Sequence, residues 1–186
     1  PPVLSQFSNV NIGTATFVQR PNYVSLFAPA VLSEQLRLLV KPIGSLYSTW
    51  SYVAHITGTL YYPPTTRFGM CLYDSSSTKV RTHWVLGNNG MFLELANFSN
   101  PSTFVTTQQG MTTLLMPPTW WRIRCDGLGT PSFYFDYSAD GYQWVNTYSE
   151  TITSSYLSGA THVGVYVESY NAGYGASAAF LSWTGP

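Results

Sequence analysis

The chain has 186 residues with eight basic and eight acidic side chains, so its formal net charge is zero. Only 9% of residues are charged while 16% are aromatic, including 14 Tyr and 6 Trp. A neutral chain offers no global field for nucleic acid or an anionic membrane, and no apolar run approaches the ~20 residues of a membrane span. The length suits one domain, large enough to hold a core without staples. A start at Pro1-Pro2, with no Met and no signal-like segment, reads as a fragment, a processed form or an incomplete chain. Cys71 and Cys125 each sit in an apolar pattern and read as buried thiols. No Cys/His spacing matches a zinc site and no cofactor motif is legible.

Residues 1–13 are polar and unpatterned apart from Phe7 and Ile12, which suggests a lead segment or an oligomer contact. Residues 14–20 and 23–27 flank Pro21-Asn22 and read as a hairpin. Residues 35–41 alternate up to Pro42 and read as a strand; Pro29 and Pro42 leave little room for a helix over 31–40. Residues 52–62 form a long alternating run stopped by Pro63-Pro64. Strands are expected at 68–73, ended by the Asp74-Ser75-Ser76-Ser77 turn, and at 79–86. Asn88-Asn89-Gly90 is a hairpin signal into 91–96, and 102–107 is a weaker strand.

The stretch from Trp120 to Trp144 holds the clearest pattern. Trp121, Ile123 and Cys125 alternate with Arg122, Arg124 and Asp126; Phe133, Phe135 and Tyr137 alternate with Tyr134, Asp136 and Ser138. Period-two alternation gives each strand one apolar and one polar face. Asp140-Gly141 supplies the positive φ of a tight turn, and Trp144 behind it reads as core. Strands at 145–148, 162–170 and 176–183 complete the chain, with Trp183 expected in the core and a Gly-rich loop at 171–175. Roughly twelve or thirteen short strands, with no convincing amphipathic helix, predict an all-β fold of two packed antiparallel sheets.

Phasing by the apolar faces puts His55, Arg81, His83, Glu94, Arg122, Arg124, Tyr134, Asp136, Tyr166 and Glu168 on the non-core side. These residues suit a polar groove with aromatic walls, in which sugar hydroxyls pair with charged groups and sugar C–H faces lie on rings. They equally suit a solvated sheet face with cross-strand ion pairs. A second candidate is the set of aromatics at strand ends and loops: Tyr47, Trp50, Tyr61, Tyr62, Trp120, Tyr148, Tyr170 and Tyr174. The loop Tyr170-Asn171-Ala172-Gly173-Tyr174 is the preferred contact among them, because Gly-flanked aromatics on loops make adaptable binding surfaces. The candidate ligand-binding set is therefore Glu94, Arg122, Arg124, Tyr134, Asp136, Tyr166, Glu168, Tyr170, Asn171 and Tyr174. No catalytic residue and no metal ligand is assigned.

The order of Phe68-Gly69-Met70-Cys71-Leu72-Tyr73, the Asn-Gly hairpin, Trp120-Trp121-Arg122-Ile123, Ser138-Ala139-Asp140-Gly141-Tyr142-Gln143-Trp144 and Val163-Gly164-Val165 resembles the concanavalin A-like lectin/glucanase superfamily. Its laminin-G-like sandwiches carry a Trp-x-Arg-Ile strand, then Ser-x-Asp-Gly-x-x-Trp, then a Val-Gly strand. Phe17, Tyr23-Val24-Ser25-Leu26, Ala28-Pro29-Ala30 and residues 35–41 are similar to C-terminal modules of this fold on bacteriophage virion proteins.

The resemblance implies a two-sheet antiparallel jelly roll over 14–186, preceded by a lead segment over 1–13. It further implies a non-catalytic carbohydrate-binding or adhesion module on a tail fibre, spike or capsid decoration, exposed on the virion surface. The partners would be host-surface polysaccharide, other virion proteins and further copies of the chain, a trimer among the options. A structural or oligomerisation module without ligand is the alternative, since one superfold hosts many functions. A glycoside hydrolase is a third reading, and the expectation is that the chain is not an enzyme. Laminarinase-like relatives carry Glu-x-Asp-x-x-Glu on one strand, which is absent here; Glu94 and Glu168 could face each other across strands as the carboxylate pair hydrolysis needs, but Glu94 sits in Leu-Glu-Leu with no acidic neighbour.

Overall fold

The computed structural model describes residues 1–59, 66–87, 91–114, 118–127, 129–170 and 173–186. Fourteen strands are seen among them: β1 (Ser8–Val10), β2 (Thr16–Gln19), β3 (Val24–Ala28), β4 (Arg37–Pro42), β5 (Trp50–Gly58), β6 (Thr66–Tyr73), β7 (Val80–Gly87), β8 (Met91–Asn100), β9 (Thr103–Leu114), β10 (Trp120–Asp126), β11 (Ser132–Ser138), β12 (Val145–Thr151), β13 (His162–Ser169) and β14 (Ala176–Thr184). They form two seven-stranded antiparallel sheets. Sheet A has the order β1-β4-β13-β6-β7-β8-β9, and sheet B the order β12-β11-β10-β5-β14-β3-β2. No helix among the described residues is long and apolar enough to cross a membrane. The Asn88-Asn89-Gly90 turn lies outside the described residues; the strands it was expected to join do pair, as β7 and β8.

The alternation expected for Trp121, Ile123, Cys125, Phe133 and Phe135 holds. All five are buried between the sheets with Phe68, Met70, Leu72, Val165 and Phe180. Residues 1–13 are fastened to this body: β1 pairs with β4, and Phe7 meets Phe180 and Trp183 edge-on at 5.7 and 5.4 Å. Cys71 and Cys125 are buried free thiols.

Sheet A differs from the expectation of one apolar and one solvated face. Leu36, Leu38, Val40, Cys71, Tyr73, Val80, Ala96, Phe98 and Tyr166 form a second apolar cluster on the side facing away from sheet B. Curvature closes this outer face. Strands β4 and β8 are four positions apart, roughly 19 Å in a flat sheet. Yet Leu36, just before β4, donates its backbone N–H to the carbonyl of Pro101, just after β8, at 2.8 Å. Four register shifts along the β8–β9 ladder supply the bend, since each bulge kinks its strand. The hairpin end thus reaches over the sheet, and Phe98 packs edge-on against Phe104.

The phase expected for Arg81 and His83 is corrected by the same ladders. Arg81 lies opposite Leu72 and His83 opposite Met70, so both point between the sheets. Arg81 is satisfied there by Glu150 from β12 and by Asn97 at 2.8 Å. His83 sits edge-on to Trp121 at 5.0 Å and shares a hydrogen bond with Thr147 at 3.1 Å. Burial pushes its imidazole down to about 3, so it is neutral at pH 7.

Candidate functional site

Two outer faces could take a ligand, and the predicted residues are divided between them. Tyr166 and Glu168 belong to the outer phase of sheet A but are fully buried, because that face is closed. Glu168 accepts the Gln35 backbone N–H at 2.9 Å and an Arg67 N–H at 3.1 Å, and Arg67 also pairs with Glu34 at 2.9 Å. Burial pushes the Glu168 carboxyl up to about 8 against the pull of Arg67. The Tyr170 ring lies 5.2 Å from the same guanidinium. Glu94 is half-buried on β8. Tyr166 and Glu168, shut off from solvent, therefore do not line a ligand groove. Asn171 lies outside the described residues, as do Tyr61 and Tyr62.

Arg122, Arg124, Tyr134 and Asp136 do come together, on the outer face of sheet B. Strand register places Arg122 opposite Asp136 and Arg124 opposite Tyr134. Both arginines donate through Nε to the same oxygen, Asp136 Oδ2, at 2.8 and 2.9 Å. The Asn146 amide donates to Oδ1 at 2.8 Å. The Arg122 guanidinium lies over Trp144 at 4.3 Å and that of Arg124 over Tyr134 at 3.9 Å. Trp144 is thus a half-buried lid on Arg122 and not the core residue expected. Asp136 is spent on these three donors, and its two guanidinium neighbours disfavour a cation there.

Trp120 sits one row further along. Its indole lies flat on His55, 4.2 Å between ring centres with planes 8° apart. Its ring also backs onto Gly141, where a Cβ would come within 2.9 Å of it. Asp140 fixes that turn by accepting the backbone N–H groups of Gln143 and Tyr142 at 2.9 and 2.8 Å, which hold its carboxyl below its ordinary value. Of the other aromatics, Trp50 is in the core, Tyr148 lies 5.7 Å from Arg81, and Tyr47 and Tyr174 are exposed.

Beyond the Trp120–His55 stack, sequence reasoning missed a groove of about 400 Å³ lined by Tyr23, Ser25, Thr57, Gly58, Thr59, Ser177, Ala178 and Ala179. Ladder register puts Thr57 opposite Ala179 and Ala179 opposite Ser25, so small outward side chains on three adjacent strands leave the space. Tyr23 forms the wall on the β2–β3 side. Its exposed neighbour on the same face is Phe27, whose ring packs against Gly175 of the loop that carries Tyr174. The only sequence signal was the run of small residues at 176–179, where an exterior strand face usually carries longer side chains.

No family model and no curated relative matches the chain. Solved structures do share its fold. A mutant of the GH43 protein BlXynB from Bacillus licheniformis matches 89% of this chain at 14% identity and TM-score 0.64. The CBM2 module of the evolved Dit of Lactobacillus casei BL23 phage J-1 matches 94% of this chain and 80% of its own at 11% identity, TM-score 0.50. The exoplasmic/lumenal domain of VIP36, in its Ca2+/Man-bound form, matches 97% and 82% at 9% identity, TM-score 0.56. The fold is a lectin-like β-sandwich that resembles a phage module.

The hydrolase likenesses, at 11–14% identity, stand against the expectation that the chain is not an enzyme. The sandwich recurs in GH43 glycoside hydrolases, among them a Bacteroides ovatus protein and a xylan β-1,4-xylosidase from Bacillus halodurans. The chain spans about a third of the length of the BlXynB mutant, 33%.

Proposed function

We propose that the chain is a carbohydrate-binding module whose ligand lies across the outer face of sheet B. One contrast carries this reading. The outer face of sheet A is closed by its own β8–β9 hairpin, while that of sheet B is open and holds the hydroxyl-lined groove. Small pockets with a few convergent polar groups and an aromatic wall are the usual form of a binding site. On this reading the unit of 14–186 is the body of the sandwich, and the 1–13 segment adds β1 to it as the edge strand of sheet A. The likeness to the Dit module, which spans most of both chains, supports a virion surface as the setting and host polysaccharide as the ligand. The likeness to glycoside hydrolases supports a second setting, as about a third of a larger glycan-active protein. A glycan array probed with the folded chain tests the shared premise. Reproducible binding to a defined glycan group is expected; a blank array with folded protein would count against it.

A structural role has one specific observation in its favour. Strand β9 ends sheet A, carries no charged residue over its 12 positions, and is exposed from Thr103 to Gln109. Uncharged edges of this length invite pairing with another strand. Light scattering over a concentration series tests it: self-association lost in Val105→Lys supports edge pairing, and a monomer at all concentrations excludes it.

A further inference from the structure

Resting on the glycan reading above, we propose that the groove between Tyr23 and Thr59 is the seat for one uncharged sugar ring of a neutral polysaccharide. The Arg122–Asp136–Arg124 cluster beside it is scaffold, not a reader of ligand charge.

The polar groups of the two regions differ in one respect. In the cluster, every carboxylate oxygen of Asp136 already accepts a protein donor, and both guanidinium planes are covered on one side by a ring. Arg122 and Arg124 share the outward phase of β10 and β11 with Asp126 and Asp136, so two positive charges meet two negative ones. In the groove, the hydroxyls of Tyr23, Ser25, Thr57, Thr59 and Ser177 make no side-chain hydrogen bond with any of the described residues, and no lining residue carries a charge. Five hydroxyl groups, each both donor and acceptor, suit a ligand whose own groups are hydroxyls. A carboxylate, phosphate or sulfate seated there would lose part of its hydration without meeting a cation.

The groove's shape agrees with its chemistry. Ala179 and Gly58 give it a flat floor, and the Tyr23 ring gives one apolar wall on which sugar C–H groups can rest. Gly58 has no room for a side chain: a Cβ there would come within 2.7 Å of the Phe68 ring and 2.8 Å of the Ser177 carbonyl. The nearest titratable side chain on β5 is His55, two residues from Thr57. Burial lowers its pKa, so it adds no charge at neutral pH. The Trp120–His55 stack separates the groove from the arginine cluster, and a chain crossing the sheet would pass over that stack's edge.

Affinity electrophoresis with two sets of polysaccharides tests the proposal: xylan, mannan and laminarin as neutral probes, polygalacturonate and heparin as anionic ones. The wild type should bind at least one neutral polymer, with affinity unchanged within about twofold between 50 and 500 mM salt. Ala179→Phe, which fills the floor from the solvent side, should lose at least tenfold. Should that variant fail to fold, Ser177→Gln at an exposed position makes the same test. Preference for the anionic polymers, a steep loss of affinity with salt, or neutral-glycan binding undiminished in both variants would overturn the proposal while leaving the glycan reading intact. Absence of binding to either set would remove the glycan reading, and this proposal with it.

Discussion

Glu168 is fully buried with its Oε2 3.1 Å from the Arg67 guanidinium. Its folded pKa of about 8 stands above the ordinary 4.5, because burial outweighs the pull of Arg67 and the neighbouring Glu34 carboxylate repels a second negative charge. A raised carboxyl pKa contributes stability fully below about pH 4.5, and that contribution is lost as pH rises toward 8. His83 works in the opposite sense: its lowered pKa contributes stability above 6.5 that is lost as pH falls toward 3. Above pH 6.5 only the Glu168 effect operates of these two. Thermal melts should therefore show Tm falling between pH 6.5 and 8.5, and Glu168→Gln should flatten that slope. A variant that keeps the wild-type slope would place the proton elsewhere.

Trp121 is fully buried against His83 and the inter-sheet core. Trp121→Ala should cost about 3–5 kcal/mol in denaturant unfolding. A loss under 1 kcal/mol would mean that the two sheets do not pack through this ring.

Two glycines separate backbone strain from steric contact. Gly129 (φ +69°) and Gly141 (φ +81°) both occupy the left-handed region, but only Gly141 lies against a ring, that of Trp120. Gly129→Ala should cost about 1 kcal/mol, the penalty of the conformation alone. Gly141→Ala should cost more and should shift tryptophan fluorescence, since Trp120 has to move. Equal costs would contradict the packing described.

Asp136→Ala would leave Arg122, Arg124 and the Asn146 amide without their shared acceptor. Allowing for water reaching the partly exposed Arg124, the expected loss is about 2–3 kcal/mol. If the cluster is scaffold, folded Asp136→Ala should still bind a neutral glycan within about twofold of wild type. A complete loss of binding with the fold retained would make the cluster part of the ligand site.

Much of the fold could be read from residue order. The alternation from Trp121 to Tyr137 specifies both strands, and Asp140-Gly141 specifies their following turn. What alternation cannot say is which phase faces inward. Arg81 and His83 look like surface residues in sequence; they are tolerated inside because Glu150 and Thr147, far along the chain, reach them from the other sheet. The apolar run Phe68–Tyr73 reads in sequence as a strand and no more; that all of β6 is buried follows from its central place in sheet A, whose outer face is closed as well. Tyr166 and Glu168 were misplaced because closure of sheet A depends on the bend in β8–β9, which no local pattern encodes. The groove was missed for a different reason: Ser25, Thr57, Ser177 and Ala179 are unremarkable singly and become a site only through three strand registers.

The most direct measurement is amide chemical-shift mapping of the 15N-labelled chain during titration with a neutral oligosaccharide. Saturable shifts are expected at Ser25, Thr57, Ser177 and Ala179, fading toward Arg124, with sheet A unaffected. Shifts centred on sheet A or on the β8–β9 hairpin, or none at millimolar ligand, would contradict it.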